Sequence, residues 1–324
     1  MFLLWRLATL INSMASLSSS PPSNYRGRLA PSPTGYLHVG HARTFWIAYE
    51  RARDAAGTLV MRMEDLDPDR SRVIYAQAAL EDLCWLGIRW QEGPDLGGPV
   101  APYEQSHRHA IYLDAWRKLL RGGFLFPCCC SRKDLEAALS APHEGAPQSD
   151  SEPNMEPLDD EPIYPGTCRP DANNIAQPFD STVSETAEPG NFNWRFRVPD
   201  GEVVEFEDLN LGPQRFVAGV DFGDFVVWRR DGVPSYQLAC VADDAAMRIT
   251  EVVRGVDLLK STARQILLYR ALKLDPPAWF HCRLVTDSQG RRLAKRHDAL
   301  SLRSLRQHGV TPQQILSGEL PAEV

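Results

Sequence analysis

An α/β protein with a doubly wound parallel sheet is predicted, and three observations predict it. Strand-like and helical segments alternate from Arg28 onward, a Pro/Gly-rich break separates the first strand from the first helix, and 43% of the 324 residues are hydrophobic. That content suffices for a sizeable core covering a sheet on both faces, and with 24% charged residues it excludes wholesale disorder.

Arg28-Leu29-Ala30 reads as a short strand, and Pro31-Ser32-Pro33-Thr34-Gly35 forbids helix through its prolines and glycine. Residues 41–56 follow as a helix with Phe45, Ile47, Ala48 and Ala52 on one side and Gly57 as its stop. Thr58–Met63 is a second strand, then an Asp/Pro/Arg turn leads into a helix over 72–86. A further helix covers 105–121 and ends at Gly122-Gly123. Residues 141–190 contain nine prolines and almost no apolar periodicity, so they form an insertion or flexible loop rather than a domain. Asn193–Val198 and Val203–Leu209 alternate as two strands compatible with a hairpin. Phe225–Trp228 and Val252-Val253 are buried segments, followed by a helix over 261–273 and a strand near His281–Val285. No internal repeat is present.

Residues 1–24 open with an apolar stretch, Phe2–Ile11 broken by Arg6, and become Ser/Pro-rich. They read as an unstructured extension or as a start site placed upstream of Met14; a signal or transit peptide is the alternative, because no acid precedes Glu50. The expected division is an extension over 1–24, one domain over 25–310 with an insertion at 123–192, and a short tail over 311–324. Only 29 residues follow Lys295, too few for another folded domain.

The net charge of −7 is uneven. Residues 141–190 hold 11 acids against Arg169 alone, a local −10 that leaves the rest of the chain at +3. The acidic balance therefore does not argue against a polyanionic partner. Seven cysteines, an odd set with Cys128, Cys129 and Cys130 consecutive, do not form a secreted disulfide framework, and a reducing cytoplasmic setting is expected. No apolar run reaches the roughly 20 residues a membrane-crossing helix needs, so no membrane partner is expected.

Chemistry concentrates in four places. Pro33-Thr34-Gly35-Tyr36-Leu37-His38-Val39-Gly40-His41 lies between a strand and a helix. A helix start offers free N–H donors and a partial positive charge, His38 and His41 add directed donors, and Gly40 lets a flat base approach the backbone. Arg28 and Arg254 are planar forks suited to carboxylates, Glu64 suits an ammonium, and Tyr236 offers a phenol. Gly290-Arg291-Arg292-Leu293-Ala294-Lys295 is a basic turn. Cys128, Cys130 and Cys168 flank the acidic insertion; clustered loop cysteines favour zinc, which needs a fourth ligand that chemistry alone leaves open. Cys84, Cys240 and Cys282 read as core.

The stretch Arg28–His41 resembles the HIGH-motif segment of class I aminoacyl-tRNA synthetases of the glutamyl/glutaminyl branch. Met61-Arg62-Met63-Glu64-Asp65-Leu66-Asp67 and Glu251-Val252-Val253-Arg254-Gly255-Val256-Asp257 are similar to further motifs of that branch, in the same order. The resemblance spans about 26–300 apart from the insertion. It implies a Rossmann-like catalytic domain with an inserted zinc-binding subdomain. It also implies an ATP site at His38, Gly40 and His41 and a glutamate site of Arg28, Ala30, Ser32, Glu64, Tyr236 and Arg254, with Mg accompanying ATP. Lys295 matches the second lysine of the mobile KMSKS loop, where a cation over the β/γ-phosphates stabilises the departing pyrophosphate. Arg292 and Ala294 depart from that pattern at its first lysine and serine. Small zinc-binding relatives carry C-x-C followed by Y-x-x-x-C, which implies Tyr164 as fourth ligand beside Cys128, Cys130 and Cys168; Cys129 is the rival.

A shortened branch of this family, the glutamyl-queuosine tRNA(Asp) synthetases, resembles the chain in length, in the cysteine pattern and in the missing anticodon region. Cys240 after Tyr236-Gln237-Leu238-Ala239, where longer enzymes carry asparagine, agrees with it. The resemblance implies tRNA-independent activation of L-glutamate by ATP and transfer to queuosine at the wobble position of tRNA(Asp), by a monomer. The competing expectations are a glutamyl-tRNA synthetase-like enzyme charging a tRNA 3′ end, a non-catalytic tRNA-binding paralogue, and a small-molecule adenylate-forming ligase.

Overall fold

The computed structural model describes residues 24–131, 134, 162–170, 186–283 and 301–318. Its first half is built on parallel strands. β1 (Arg26–Leu29) pairs in parallel with β2 (Thr58–Met61), in register Arg28↔Val60, and α1 (Val39–Asp54) makes the crossover. Both strands bury three of four residues, the pattern of a sheet covered on both sides. Beyond β2 the chain adds an extended residue in parallel, Val60 opposite Glu92. α2 (Val73–Trp85) lies between these turns of chain, and α3 (His109–Arg121) follows one 3-10 turn at Gln105–His107.

On the other side of β1 stands a second parallel group. β8 (Glu251–Gly255) pairs with β9 (Ala278–Cys282) in register Arg254↔His281, and β9 meets the end of β5 (Val203–Asp208) at Asp208↔Trp279. The Thr250 N–H donates to the Arg26 carbonyl at 2.9 Å, which sets β8 beside β1. The chain therefore leaves β1 in one direction and returns on its opposite flank. In open α/β sheets such a reversal opens a crevice at the carboxyl ends of the strands, and Ala30 and Arg254 lie there.

A separate antiparallel sheet joins β3 (Leu125–Cys128), β4 (Asn193–Phe196) and β7 (Phe225–Trp228). Its aromatic face packs on α3 and α4 (Tyr236–Ala246), with Trp116, Trp194, Phe196 and Trp228 all buried in one cluster. A second cluster joins α1, β1 and β2 to α6 (Leu302–Gln307) and α7 (Pro312–Ser317). α5 (Leu259–Leu272) completes the helical layer over β8.

The mixed α/β fold with parallel strands matches expectation, and three local readings change. The segments 193–198 and 203–209 do not pair with each other: β4 joins β3 and β7, while β5 forms its hairpin with β6 (Gly212–Val217). The strand expected near His281–Val285 begins earlier, at Ala278. Residues expected as a tail carry α7, capped by Thr311 and Gln314, with Ile315 fully buried. The extension 1–23, most of the acidic insertion and residues 284–300 with Lys295 lie outside the described residues.

Candidate active site

The loop after β1, the start of α1, the segment after β2, the start of α4 and the end of β8 converge on a cavity of about 500 Å³. Arg28, Ala30, Ser32, His38, Gly40, His41, Glu64, Tyr236 and Arg254 all line it. The structure thus brings together every sequence-predicted glutamate and nucleotide residue that it describes.

The nucleotide end is the N-terminus of α1. His38 is its N-cap: the Gly40 N–H donates to His38 Nδ1 (3.1 Å), and the His38 N–H donates to His41 Nδ1 (3.3 Å). With both Nδ1 atoms accepting, each neutral ring carries its proton on Nε2. Desolvation in the cleft holds both imidazoles below the ordinary histidine range, with His38 adding to the effect at His41. They offer neutral, directed donors beside the helix dipole. Gly40 has a second use that the sequence did not reveal: a Cβ there would stand 3.0 Å from the His38 ring, so a larger residue would press on the capping imidazole.

The opposite end is a set of buried charges. Arg254 is 5% exposed, and all its hydrogen-bond acceptors are neutral: His281 Nε2 (3.2 Å), Gln265 Oε1 (2.9 Å), Thr262 Oγ1 (2.6 Å) and Tyr236 Oη (3.4 Å). Among the described residues no carboxylate lies within 4 Å of it. Arg28, 4% exposed, donates to the Val253 carbonyl at 2.7 Å; its Nε, 3.8 Å from Asp244, has no hydrogen-bond partner. Taking a guanidinium out of water costs several kcal/mol, and each hydrogen bond to a neutral acceptor returns about 1.5–3 while supplying no counter-charge. Two such cations facing one cavity are arranged for an anionic ligand.

Arg62 is the contrast. It is fully buried but holds Asp244 at 2.5 Å and Glu64 at 3.0 Å, with Asp243 at 3.9 Å. Burial opposes its charge and those three carboxylates outweigh the penalty. Glu64 therefore pairs with Arg62 while also lining the cavity. The Cys240 thiol donates to Glu64 Oε1 at 3.5 Å, so Cys240 is buried among polar groups, not in an apolar core. Cys84 is exposed, also against expectation, and Cys282 is buried as expected. Asp208, Thr262, Gln265 and His281 were missed by sequence reasoning. The one available signal was a histidine inside the apolar run Ala278-Trp279-Phe280-His281-Cys282.

A larger cavity of about 1010 Å³ adjoins the first and shares Ser32, Thr34, Glu64 and Tyr236 with it. Its far wall includes Cys130 and Arg195, at the edge of a cysteine cluster. There the ligand atoms of Cys128, Cys130 and Cys168 lie within 4.8 Å of one another. The Tyr164 hydroxyl is 3.5 Å from Cys128 Sγ and 3.9 Å from Cys130 Sγ, and Cys130 and Cys168 sulfurs are 3.5 Å apart. A tetrahedral ion with about 2.3 Å bonds to sulfur spaces its ligands at about 3.8 Å, so this donor set fits one. Cys129, 3.8 Å from Cys168, is exposed and outside the mutual group. The Cys168 thiol is drawn down to about 6: burial opposes this, and hydrogen bonds from the Cys129 backbone and the Tyr164 hydroxyl prevail.

The profile of tRNA synthetases class I (E and Q), catalytic domain, matches residues 24–319, and the chain belongs to that family. It is accordingly a ligase of the aminoacyl-tRNA synthetase type. Within the family it is 47% identical over 293 residues to a glutamyl-Q tRNA(Asp) synthetase from Symbiobacterium thermophilum, covering 90% of this chain and 84% of that protein. It is 45% identical to another from Nitratidesulfovibrio vulgaris, covering 91% and 87%. Among solved structures, a glutamate-tRNA synthetase from Elizabethkingia anophelis superposes with a TM-score of 0.67 at 26% identity. That match covers 88% of this chain and 54% of the longer one, so the chain spans about half of that enzyme.

Proposed function

We propose that the chain activates L-glutamate with ATP, without needing tRNA, and transfers it to the queuosine base at the wobble position of tRNA(Asp). One observation carries the amino-acid choice: two buried arginines, Arg254 with neutral partners alone among the described residues, face an acid across a cavity that ends at a helix N-terminus. Glutamate brings two carboxylates and one ammonium, the complement of Arg28, Arg254 and Glu64. Arg62 holds Glu64 in place, Tyr236 adds a hydroxyl, and Ala30 and Ser32 shape the wall.

In the first step a glutamate carboxylate oxygen attacks the α-phosphorus of ATP, forming glutamyl-adenylate as the bond to pyrophosphate breaks. The His38 and His41 Nε2–H groups and the N-terminus of α1 supply donors to the phosphates, and Lys295 supplies a cation where pyrophosphate departs. Magnesium accompanying ATP supplies further charge neutralisation. In the second step a hydroxyl of the queuosine cyclopentene ring attacks the activated carbonyl, and AMP leaves. The protein orients and stabilises; no side chain becomes covalently bonded. The second cavity, open to Glu64 and Tyr236, supports a reading in which an unstacked nucleoside reaches the adenylate there. Zinc held by Cys128, Cys130, Tyr164 and Cys168 has a structural role, fixing the wall of that cavity.

The transfer is tested with labelled glutamate and tRNA(Asp) with and without queuosine, followed by cleavage into anticodon and 3′-terminal fragments. Label in the anticodon fragment of queuosine-containing tRNA alone is the expected result. Label at the 3′ terminus would assign the chain instead to the reaction named for its longer structural relative, and glutamate activation without any transfer would leave only the first step.

A further inference from the structure

We propose that Asp208 and His281 act as a positioning pair that fixes the guanidinium of Arg254 for the substrate carboxylate, and so helps to set the preference for a dicarboxylic amino acid. The inference rests on the reading of Arg254 given under Proposed function. Asp208, His281 and Arg254 come from three adjacent parallel strands, β5, β9 and β8, with Arg254 and His281 directly in register. Asp208 is 1% exposed and His281 fully buried. Asp208 Oδ1 accepts the Asn210 and Leu211 N–H groups of the β5–β6 turn, while Oδ2 takes His281 Nδ1 at 2.6 Å and the His281 backbone N–H at 3.1 Å. A carboxylate with that many donors stays ionised: burial pushes Asp208 up, and His281, Leu211 and Asn210 outweigh it.

The consequence passes through the ring. An ionised acceptor at Nδ1 puts the single imidazole proton there and leaves a lone pair on Nε2. That lone pair faces Arg254 Nε at 3.2 Å and Thr262 Oγ1 at 3.1 Å. Arg254 Nε must donate, so only this tautomer accepts it. With Thr262 taking Nη2 and Gln265 and Tyr236 taking Nη1, the guanidinium plane is held on three sides by groups that leave its charge uncompensated. Asp208 thus orients the substrate-facing cation without adding an anion next to it.

The test measures glutamate-dependent ATP–pyrophosphate exchange on the full chain, with KM for glutamate and for ATP determined separately. In Asp208→Asn the amide opposite Nδ1 donates, the ring adopts the other tautomer, and Nε2–H confronts Arg254 Nε–H. Loss of a hydrogen bond to a charged group predicts a rise in glutamate KM of about tenfold or more, with ATP KM within about twofold of the parent. His281→Gln restores a carbonyl acceptor at that end, so it keeps most of the affinity that His281→Leu loses. In the double variant that combines Asp208→Asn with His281→Gln, the Asp208 change adds little to the effect of His281→Gln alone, because the pair acts as a unit. Equal rises in both KM values, or a full Asp208→Asn effect persisting in that double variant, would show a merely structural tie and overturn the proposal. Should Asp208→Asn fail to fold, equal losses in His281→Gln and His281→Leu overturn it independently. Arg254→Lys separates the two layers: a raised glutamate KM there with none in Asp208→Asn sinks only the pair, whereas an unchanged KM in Arg254→Lys sinks the cavity reading with it.

Discussion

Arg254 and Arg62 are both buried and are provisioned in opposite ways. Arg62 is surrounded by Asp243, Asp244 and Glu64, whereas among the described residues Arg254 meets neutral acceptors and the open cavity. Replacing a residue whose charge is satisfied within the fold should unfold or destabilise it; replacing one whose charge awaits a ligand should abolish binding. Arg28→Ala and Glu64→Ala are expected to lose glutamate activation by about 2–5 kcal/mol, at least thirtyfold. Glu64→Ala, which also takes one of three carboxylates from buried Arg62, is expected to lose some stability while keeping the folded circular dichroism spectrum. Near-normal exchange in either variant would contradict the pocket assignment. The same residues set a pH dependence. Burial, joined by Arg254, holds His281 below the ordinary histidine range despite Asp208, so the neutral ring that accepts from Arg254 persists down through about pH 6.5. Below that, protonation removes the acceptor and sets a cation against Arg254, with Arg28 the next positive group and Thr262 the neutral neighbour. Glutamate KM should be flat above about pH 6.5 and climb at more acidic pH, with the dependence absent in His281→Gln. Stability follows the same sign. The unfolded chain binds this proton near about pH 6.5 and the folded chain resists it, so folding free energy is lost as pH falls from there toward the depressed folded value.

Two elements carry the sharpest differences from what the sequence suggested. The alternation in Val203–Asp208 tells which residues share a face but not which strand lies alongside. The nearest candidate was β4, whereas the three-residue Leu209-Asn210-Leu211 turn gave the strand to β6. Helix α7 was legible in principle, because Thr311, Pro312 and Gln314 spell a capping box, but six residues near a chain end carry little periodicity. Its burial has a measurable consequence: Ile315→Ala should cost about 2–3 kcal/mol in urea denaturation, at the low end of the range for buried isoleucine, while leaving exchange kinetics intact. The cysteine cluster is read most directly by composition. Cys168→Ser should drop zinc, measured by mass spectrometry of the purified protein, from one ion per chain to well below it, and loosen the segment around β3. Unaltered zinc content would place the ion elsewhere. Lys295→Ala should slow activation by about 100-fold, the magnitude of one lost transition-state donor, with glutamate KM little changed.

At the level of the complete chain, the sequence located the site better than it described the site's support. Each predicted glutamate or nucleotide residue among those described reaches one cavity, because long motifs at the ends of β1, β2 and β8 are brought together by the reversal of strand order beside β1. Residues that act on those groups from behind were illegible. Asp208, Thr262, Gln265 and His281 are separated from Arg254 by up to tens of residues, and only strand register and the approach of α5 make them neighbours. The acidic insertion accounts for the net charge, and the positive groups that face the cavity come from the α/β part of the chain. The central claim, that two buried guanidiniums and a facing acid select glutamate beside a bound triphosphate, is tested most directly by ATP–pyrophosphate exchange without tRNA, comparing glutamate, glutamine and aspartate. Exchange driven by glutamate alone, and lost in Arg254→Ala, is the predicted result; exchange indifferent to the side-chain carboxylate, or none with any of the three, would contradict it.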